Sequence, residues 1–306
     1  MTERAICTKP MSMDTAAQQD PFDTVLDIQM PAEQRVPVVF ASPHSGCYYP
    51  EDFLAQSALD PQTLRRSEDT YVDDLFAAAP AHGAPLLRAR FPRAYIDINR
   101  EAYELDPQMF DGPLPVYANV DSPRVSAGLG TIARVVSTGA EIYRRKLSFA
   151  EAERRIEGIY RPYHATLTRL IEETERRFGC CLIVDCHSMP SIGGPTDADT
   201  GTSRFDAVLG DCFGTSCAPF ITEAAEKTLR DLGFRVVRNT PYAGGYTTRH
   251  YGIPAQGRHT LQIEVNRRLY MNETTHRKIP GFTRLQQDLT ILIATLTSLP
   301  TSDLRP

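Results

Sequence analysis

The fold of this chain is decided by the stretch Leu182-Ile183-Val184-Asp185-Cys186-His187-Ser188-Met189-Pro190. Its first three residues are apolar, and two of them are β-branched, which predicts a short buried strand. The strand ends in Asp185 and His187, whose side chains can bind a metal ion or orient a ligand. Open α/β sheets place their ligands at the carboxyl ends of such strands. The stretch therefore predicts an α/β fold with a functional site at this strand end.

The same pattern occurs earlier, in Val38-Val39-Phe40-Ala41-Ser42-Pro43-His44-Ser45-Gly46. An apolar run again ends in a His-Ser pair. A single histidine at a strand end is more often a hydrogen-bonded structural group than a metal ligand. Two histidines in matched positions, His44 and His187, favour one metal site that both strands supply.

Predicted strands and helices alternate along the chain, which indicates a three-layer α/β/α sandwich. Residues 93–100 alternate like a strand, and residues 140–178 form the longest helical region, which Pro162 kinks or splits. Residues 1–20 are polar and aperiodic, which predicts a flexible tail. Without an internal repeat or a clear linker, residues 21–306 are predicted to form a single domain.

Composition excludes several classes of protein. The 306 residues carry a net charge of −5 and no long basic run, so nothing indicates nucleic-acid binding. No stretch approaches the roughly 18 apolar residues of a membrane-spanning helix. The seven cysteines are odd in number and lack zinc-ribbon spacing, which favours reduced thiols in a cytoplasmic protein. A small anionic substrate, bound by local arginines, is the expected partner.

A catalytic metal site needs three protein ligands and one open position. His44 and His187 supply two, and the third is predicted to be Asp69, with Glu68 as the alternative. Both acids stand at a predicted helix start, where capping alone would explain a carboxylate. Asp185 lies two residues before His187 and is suited to orient its imidazole, although a strand-end Asp can also be structural.

A further acid, Glu264, lies in the predicted strand from His259 to Val265. Alternation turns its side chain away from Ile263 and Val265. It therefore faces either solvent or a cleft. In a cleft it would be the catalytic general base that takes a proton from water.

Three segments are candidates for binding an anionic substrate. Asn99 and Arg100 end the predicted strand at 93–100, and the Arg fork can hold a carboxylate in bidentate fashion. Arg144 and Arg145 form a second candidate, although such pairs are more often a solvated helix face. The Gly- and Tyr-rich segment at 242–252, with Tyr246, is predicted to be a mobile lid or a specificity loop.

Taken together, these residues resemble the N-formylglutamate amidohydrolase family. The resemblance runs from about Phe22 to Met271, and its motifs occur in order along the chain. They are Ser42-Pro43-His44-Ser45-Gly46, Ser67-Glu68-Asp69 to Leu75-Phe76, Asp97-Ile98-Asn99-Arg100, Val184 to Pro190, Gly210-Asp211 to Cys217, Pro241 to Tyr246 and Leu261-Gln262-Ile263-Glu264.

The resemblance implies the mixed α/β/α sandwich of the zinc exopeptidases and their relatives. It also implies zinc-dependent hydrolysis of N-formyl-L-glutamate to formate and glutamate, in histidine breakdown, with one Zn²⁺ or another divalent ion. His44 and His187 match the expected zinc ligands, Glu264 the water-activating acid, and Asn99 with Arg100 the carboxylate-binding pair. Cys47 stands where the related carboxypeptidases have a ligand Glu, so Asp69 is inferred as the third ligand.

Two other functions stay open. The same site could act on another N-acyl amino acid or a small peptide, or the fold could be a catalytically silent scaffold. A homo-oligomer is compatible with the sequence.

Overall fold

The computed structural model describes residues 25–195 and 197–306. The tail predicted at residues 1–20 lies outside this range. The first described element is a strand at the edge of the main sheet.

A seven-stranded mixed sheet forms the centre of the described chain. Its strands are β1 Leu26–Gln29, β2 Val38–Ser42, β3 Leu86–Ala89, β4 Cys181–Met189, β5 Ala207–Gly210, β6 Val236–Arg238 and β7 Arg258–Asn266. A separate two-stranded ribbon contains β8 Met271–Asn272 and β9 Arg277–Lys278.

The strand order is β1-β3-β2-β4-β7-β5-β6. Strands β3, β2, β4 and β7 are parallel neighbours, while β1 and the β5–β6 pair run antiparallel to the strands beside them. The carboxyl ends of β2, β4 and β7 therefore lie side by side in the middle of the sheet.

Helices cover both faces of the sheet. They are α1 Glu51–Gln56, α2 Pro61–Leu64, α3 Val72–Leu75, α4 Pro123–Ser126, α5 Phe149–Arg155, α6 Arg161–Phe178, α7 Pro219–Asp231, α8 Tyr246–Tyr251, α9 Gly281–Thr297 and α10 Thr301–Leu304. Short 3₁₀ segments lie at Arg65–Ser67, Ala79–His82, Pro107–Met109, Pro254–Gln256 and Arg267–Leu269.

Alternate strand residues enter two separate cores. In β4, Cys181 and Ile183 pack on the α6 side, while Leu182 and Val184 pack on the side of α7 and α9. A strand buried on both faces needs apolar residues at successive positions, which is why 182–184 is continuously apolar. The three-layer α/β/α fold with a mixed sheet is confirmed.

One predicted strand, at residues 93–100, is wrong. The strand predicted at 93–100 is a series of turns, in which the amides of Tyr95 and Ile96 both donate to the Pro92 carbonyl. Tyr95, Ile96 and Ile98 are all buried in the same core, although their positions do not share one parity. Alternation there reflected burial of a folded loop rather than a strand.

The kink expected at Pro162 takes a specific form. A π-helical turn, Ile156–Tyr160, lies between α5 and α6 and directly precedes Arg161 and Pro162. Proline cannot donate to the carbonyl four residues earlier, so the hydrogen-bond ladder must be rearranged at this point. The turn buries Ile156, Ile159 and Tyr160 against the sheet.

Candidate active site

The loop after β2 carries His44 to the carboxyl edge of the sheet. Gly46 in this loop is required by space, because a Cβ there would lie 2.2 Å from the carbonyl oxygen of Phe91. The His44 carbonyl accepts a hydrogen bond of 3.0 Å from the amide of Asp69. This bond holds the acidic segment before α3 against the histidine loop.

Strands β4 and β7 supply the other half of the site. His187 is the register partner of Glu264, and Asp185 is the partner of Gln262. All four side chains lie on the sheet face that also carries Ile183, opposite the face of Val184 and Ile263. Glu264 is 7% exposed, so it faces the interior of the site and not solvent.

The side chains of His44, Asp69 and His187 converge on one point. Ligand atoms of His44, Asp69 and His187 all lie within 4.8 Å of one another, and the three residues are buried. Asp69 Oδ2 is 3.1 Å from His187 Nδ1 and 3.4 Å from His44 Nδ1. Two imidazole nitrogens and one carboxylate form a donor set that zinc favours, and catalytic zinc sites commonly have three protein ligands and one open position.

The outer contacts of both histidines fit a metal. His44 Nε2 lies 2.8 Å from Asp97 Oδ1, and His187 Nε2 lies 2.9 Å from Asp185 Oδ2. A carboxylate on Nε2 keeps the proton there and leaves the Nδ1 lone pair for a metal ion. The buried Nδ1 of His44 makes no hydrogen bond, which is costly unless another ligand uses it.

The alternative acid, Glu68, is engaged elsewhere. Its carboxylate accepts hydrogen bonds from Arg65 Nε at 3.0 Å and Nη2 at 2.9 Å, and from the Tyr49 hydroxyl at 3.1 Å. Glu68 therefore holds the acidic segment before α3 in place through Arg65 and Tyr49. Asp69 faces the two histidines. Of the two acids, only Asp69 belongs to the group that could hold a metal.

The electrostatics of the group favour a positive ion. Burial alone would raise the pKa of Asp69, but contacts with His187 and His44 and the charge of Arg267 hold it well below its usual value. Burial would likewise lower the pKa of His187, but Asp185, Asp69 and Glu264 hold it well above its usual value. The carboxylates around His187 thus attract positive charge, which either a proton or a metal ion can supply.

Glu264 differs from the other acids of the site. Burial raises its pKa to about 7, with a further increase from the charge of Asp69, while His187, Arg93 and Arg267 oppose the shift. Its Oε1 accepts a hydrogen bond of 3.0 Å from Gln262 Nε2. A carboxyl group whose pKa lies near neutrality can both accept and return a proton, as general acid–base catalysis requires.

A cavity of about 110 Å³ opens over these residues. Both Asn99 and Arg100 line it, and their role in substrate binding stays a prediction. The Asn99 amide nitrogen donates to Asp185 Oδ2 at 3.2 Å. Every guanidinium nitrogen of Arg100 already faces a protein oxygen: Nε and Nη1 donate to the carbonyls of Leu129 and Asn99, and Nη2 lies 3.5 Å from Asp97.

Three of the predicted substrate contacts are not brought to this cavity. Arg144 and Arg145 line a separate pocket near Met109, and Arg144 Nε donates to the Ser57 carbonyl at 2.8 Å. The Tyr246 ring stacks on His250 with centroids 4.7 Å apart. These three residues therefore have no part in the function proposed below.

The structure adds residues that sequence reasoning did not assign. Arg93, Asp97, Arg124, Gln262 and Arg267 all line the cavity. Asp97 and Gln262 stand two positions before Asn99 and Glu264, in motifs already singled out, so their proximity was a usable signal. Arg93 lies in a turn, Arg124 in the four-residue helix α4 and Arg267 at the start of a 3₁₀ segment, all too short for periodicity to indicate the direction of a side chain.

Two expectations about the whole chain can be compared with the structure. Among the helices in the described ranges, none is long and apolar enough to cross a membrane. The expectation of reduced thiols holds for five cysteines and is wrong for Cys47, which is disulfide-bonded. The five free thiols are Cys180, Cys181, Cys186, Cys212 and Cys217.

Two known proteins with similar sequences are both named N-formylglutamate deformylase. The chain is 30% identical over 243 residues to an N-formylglutamate deformylase of Pseudomonas putida, covering 78% of this chain and 84% of the relative. It is 28% identical over 242 residues to an N-formylglutamate deformylase of Pseudomonas aeruginosa, with the same coverage.

A solved structure has the same fold. The crystal structure of N-formylglutamate amidohydrolase from Ralstonia eutropha JMP134 is 40% identical, with a TM-score of 0.82 over 89% of this chain and 96% of that one. Residues 36–271 match the family described as N-formylglutamate amidohydrolase. This match contains His44, Asp69, His187 and Glu264, and the chain belongs to the N-formylglutamate amidohydrolase family.

Proposed function

We propose that this protein is a zinc-dependent amidohydrolase that converts N-formyl-L-glutamate to formate and L-glutamate. One observation carries the proposal: a buried His44–Asp69–His187 group with Glu264 directly opposite His187 on the neighbouring strand. Family membership and the names of the relatives support the amide bond and the formyl-glutamate substrate.

His44, Asp69 and His187 are the residues that would hold the ion. The mixed nitrogen and oxygen set suits zinc better than magnesium or calcium, which prefer oxygen ligands. Zinc bound there would polarise the acyl carbonyl and lower the pKa of a water molecule toward about 7. Asp97 and Asp185 keep the two imidazoles in the required tautomer and orientation through their Nε2 contacts.

Glu264 is the proposed general base and acid. Its carboxylate removes a proton from the attacking water as the water oxygen bonds to the acyl carbon. It then gives the proton to the amide nitrogen as the carbon–nitrogen bond breaks, so that formate and a free amine leave. Gln262 restrains Glu264 by its 3.0 Å hydrogen bond and is itself anchored, because its Oε1 accepts from the Gly245 amide at 2.8 Å.

The cavity is suited to an anionic substrate. Arg93, Arg100 and Arg124 all line it, and Asp97 is the acid that two of them share. Arg93 Nη2 donates to Asp97 Oδ2 at 2.7 Å, and the remaining donors of Arg93 are available to a ligand carboxylate. An arginine fork recognises a carboxylate through two parallel hydrogen bonds.

The decisive experiment combines metal analysis with a substrate panel. Purified protein is expected to contain about one zinc ion per chain and to release formate from N-formyl-L-glutamate, with loss of activity on chelation and recovery on zinc addition. Preference for N-acetyl amino acids or small peptides would instead support the related deacylase or peptidase function. A zinc-loaded protein that is inactive on the whole panel would support a silent scaffold.

A further inference from the structure

Four arginines line the cavity, and they differ in how many of their N–H donors are already bonded to protein acceptors. Arg267 donates to Asp69, Ser188 and the Arg66 carbonyl. Arg100 and Arg93 share Asp97.

Arg124 is the exception. Within residues 25–195 and 197–306, its side chain has neither a hydrogen bond nor an ion pair. An arginine that lines a pocket without a carboxylate partner retains all five N–H donors for a ligand.

The backbone around Arg124 is held in place. Ser122 caps α4 by accepting from the Val125 amide at 3.0 Å, and its hydroxyl donates to the buried Glu104 carboxylate. The Arg124 carbonyl accepts from the Leu129 amide at 2.8 Å. The exposed side chain thus projects from an anchored turn.

The same turn connects Arg124 to Arg100. The Leu129 carbonyl accepts from Arg100 Nε at 2.9 Å, so the two arginines are joined through one residue. Burial lowers the pKa of Arg100 to about 10, and the charge of Arg124 adds to that decrease against the opposing effect of Asp97. Two like charges this close favour an anion in the cavity that they share.

Arg93, Arg100 and Arg124 differ in how directly they are linked to the reacting groups. The charge of Arg93 acts on Asp97, Asp69 and Glu264, which places it beside the proposed reaction centre. Arg100 shares Asp97 with Arg93, while Arg124 is linked to Arg100 through Leu129 and its charge acts on Arg100. In an N-acyl amino acid, the α-carboxylate is close to the scissile amide and a side-chain carboxylate lies farther away.

We propose that Arg124 binds the side-chain carboxylate of a dicarboxylic N-acyl amino acid and thereby selects such substrates over neutral ones. The inference rests on the proposed function for the position of the scissile amide. The α-carboxylate is then left to Arg93, close to Glu264. Arg124 is a specificity-determining residue that contacts the substrate away from the bond that breaks.

The test compares two ligands that differ in this one charge. N-formyl-L-glutamate and N-formyl-L-glutamine, in which the side-chain carboxylate is replaced by a neutral amide, are titrated calorimetrically into zinc-loaded Glu264→Gln protein, in which turnover is slow enough for binding to be measured. The glutamate ligand is expected to bind roughly 10- to 100-fold more tightly, the range of a hydrogen bond between charged groups. Adding Arg124→Ala should remove most of that preference, and Arg124→Lys should retain part of it.

Arg145→Ala is the matched control, because Arg145 is an exposed arginine in a different pocket. It should keep the full preference. A preference that survives Arg124→Ala, or its absence from the parent protein, would overturn the inference. Failure of the proposed function has a different signature: protein with native Glu264 would hydrolyse neither ligand, while the Arg124-dependent binding preference remained.

Discussion

Glu264 lies directly opposite His187 in the parallel pairing of β7 with β4. Because paired residues of adjacent strands project from the same face, the register alone places the proposed base beside a proposed metal ligand. A shift of one residue would turn Glu264 to the apolar face that Ile263 occupies. Strand pairing thus determines the distance that catalysis depends on, and no mobile loop is needed to bring the two groups together.

Glu264→Gln is expected to lower kcat by roughly 10²- to 10⁴-fold, the usual contribution of a general base. Glutamine keeps the size of the side chain but cannot accept the proton. Since Glu264 is not part of the His44–Asp69–His187 group, zinc content measured by plasma mass spectrometry should be unchanged. The exposed Glu223→Gln serves as a matched control with normal kcat. Full activity of the Glu264 variant would remove it from the mechanism.

The adjacent acids Glu68 and Asp69 allow a sharp comparison. Asp69→Asn removes a ligand charge and should weaken zinc binding by more than the roughly 10- to 100-fold typical of outer-sphere residues. Glu68→Gln should leave zinc binding intact. It should instead lower stability by about 1–3 kcal/mol, because the buried carboxylate is bound to Arg65.

Competition with a chromophoric chelator measures the first effect of this pair, and thermal or urea unfolding measures the second. The reverse pattern, with zinc lost from the Glu68 variant and retained by the Asp69 variant, would contradict the assignment of the third ligand.

Much of the site was predictable because its residues end regular strands. The apolar runs at 38–41 and 182–184 indicate buried parallel strands, and parallel strands bring their carboxyl ends to one edge of the sheet. His44 and His187 were therefore expected at one edge, and the pairing of β2 with β4 brings their rings to 4.9 Å between centroids. Alternation also placed Glu264 away from Ile263, but only the structure shows that Glu264 is itself buried and lines a cavity.

The arginines could not be assigned in this way. Arg93 lies in a turn and reaches the site because it pairs with Asp97, four residues later. Arg267 follows the end of β7 and contacts Asp69, which is far away along the chain. Arg144 and Arg145 are two adjacent positive residues, which suggested an anion site, yet their loop packs near Ser57. The direction of such side chains depends on tertiary contacts that local sequence does not encode.

The pH dependence should show an acid limb governed by Glu264. Its pKa is about 7 without a bound cation, and a neighbouring zinc ion favours the carboxylate and lowers this value. A base is active when deprotonated, so kcat/KM should be constant above neutrality and fall tenfold per pH unit below the lowered pKa. Zinc content measured at each pH separates this effect from loss of the ion. A limb that persists unchanged in the residual activity of Glu264→Gln would exclude Glu264 as its origin.

Asp185 and Asp97 contact the Nε2 atoms of the two histidines, and a change at Asp185 tests how such a carboxylate affects zinc binding. Its Oδ2 lies 2.9 Å from His187 Nε2 and the side chain is fully buried, so it should fix the tautomer that presents Nδ1 to zinc. Asp185→Asn preserves the shape but weakens the acceptor, and zinc affinity should fall roughly 10- to 100-fold. At saturating zinc, kcat should recover most of its normal value, because Asp185 does not contact the substrate cavity. A variant with normal zinc affinity and low kcat would show that Asp185 acts on the reaction itself rather than through His187.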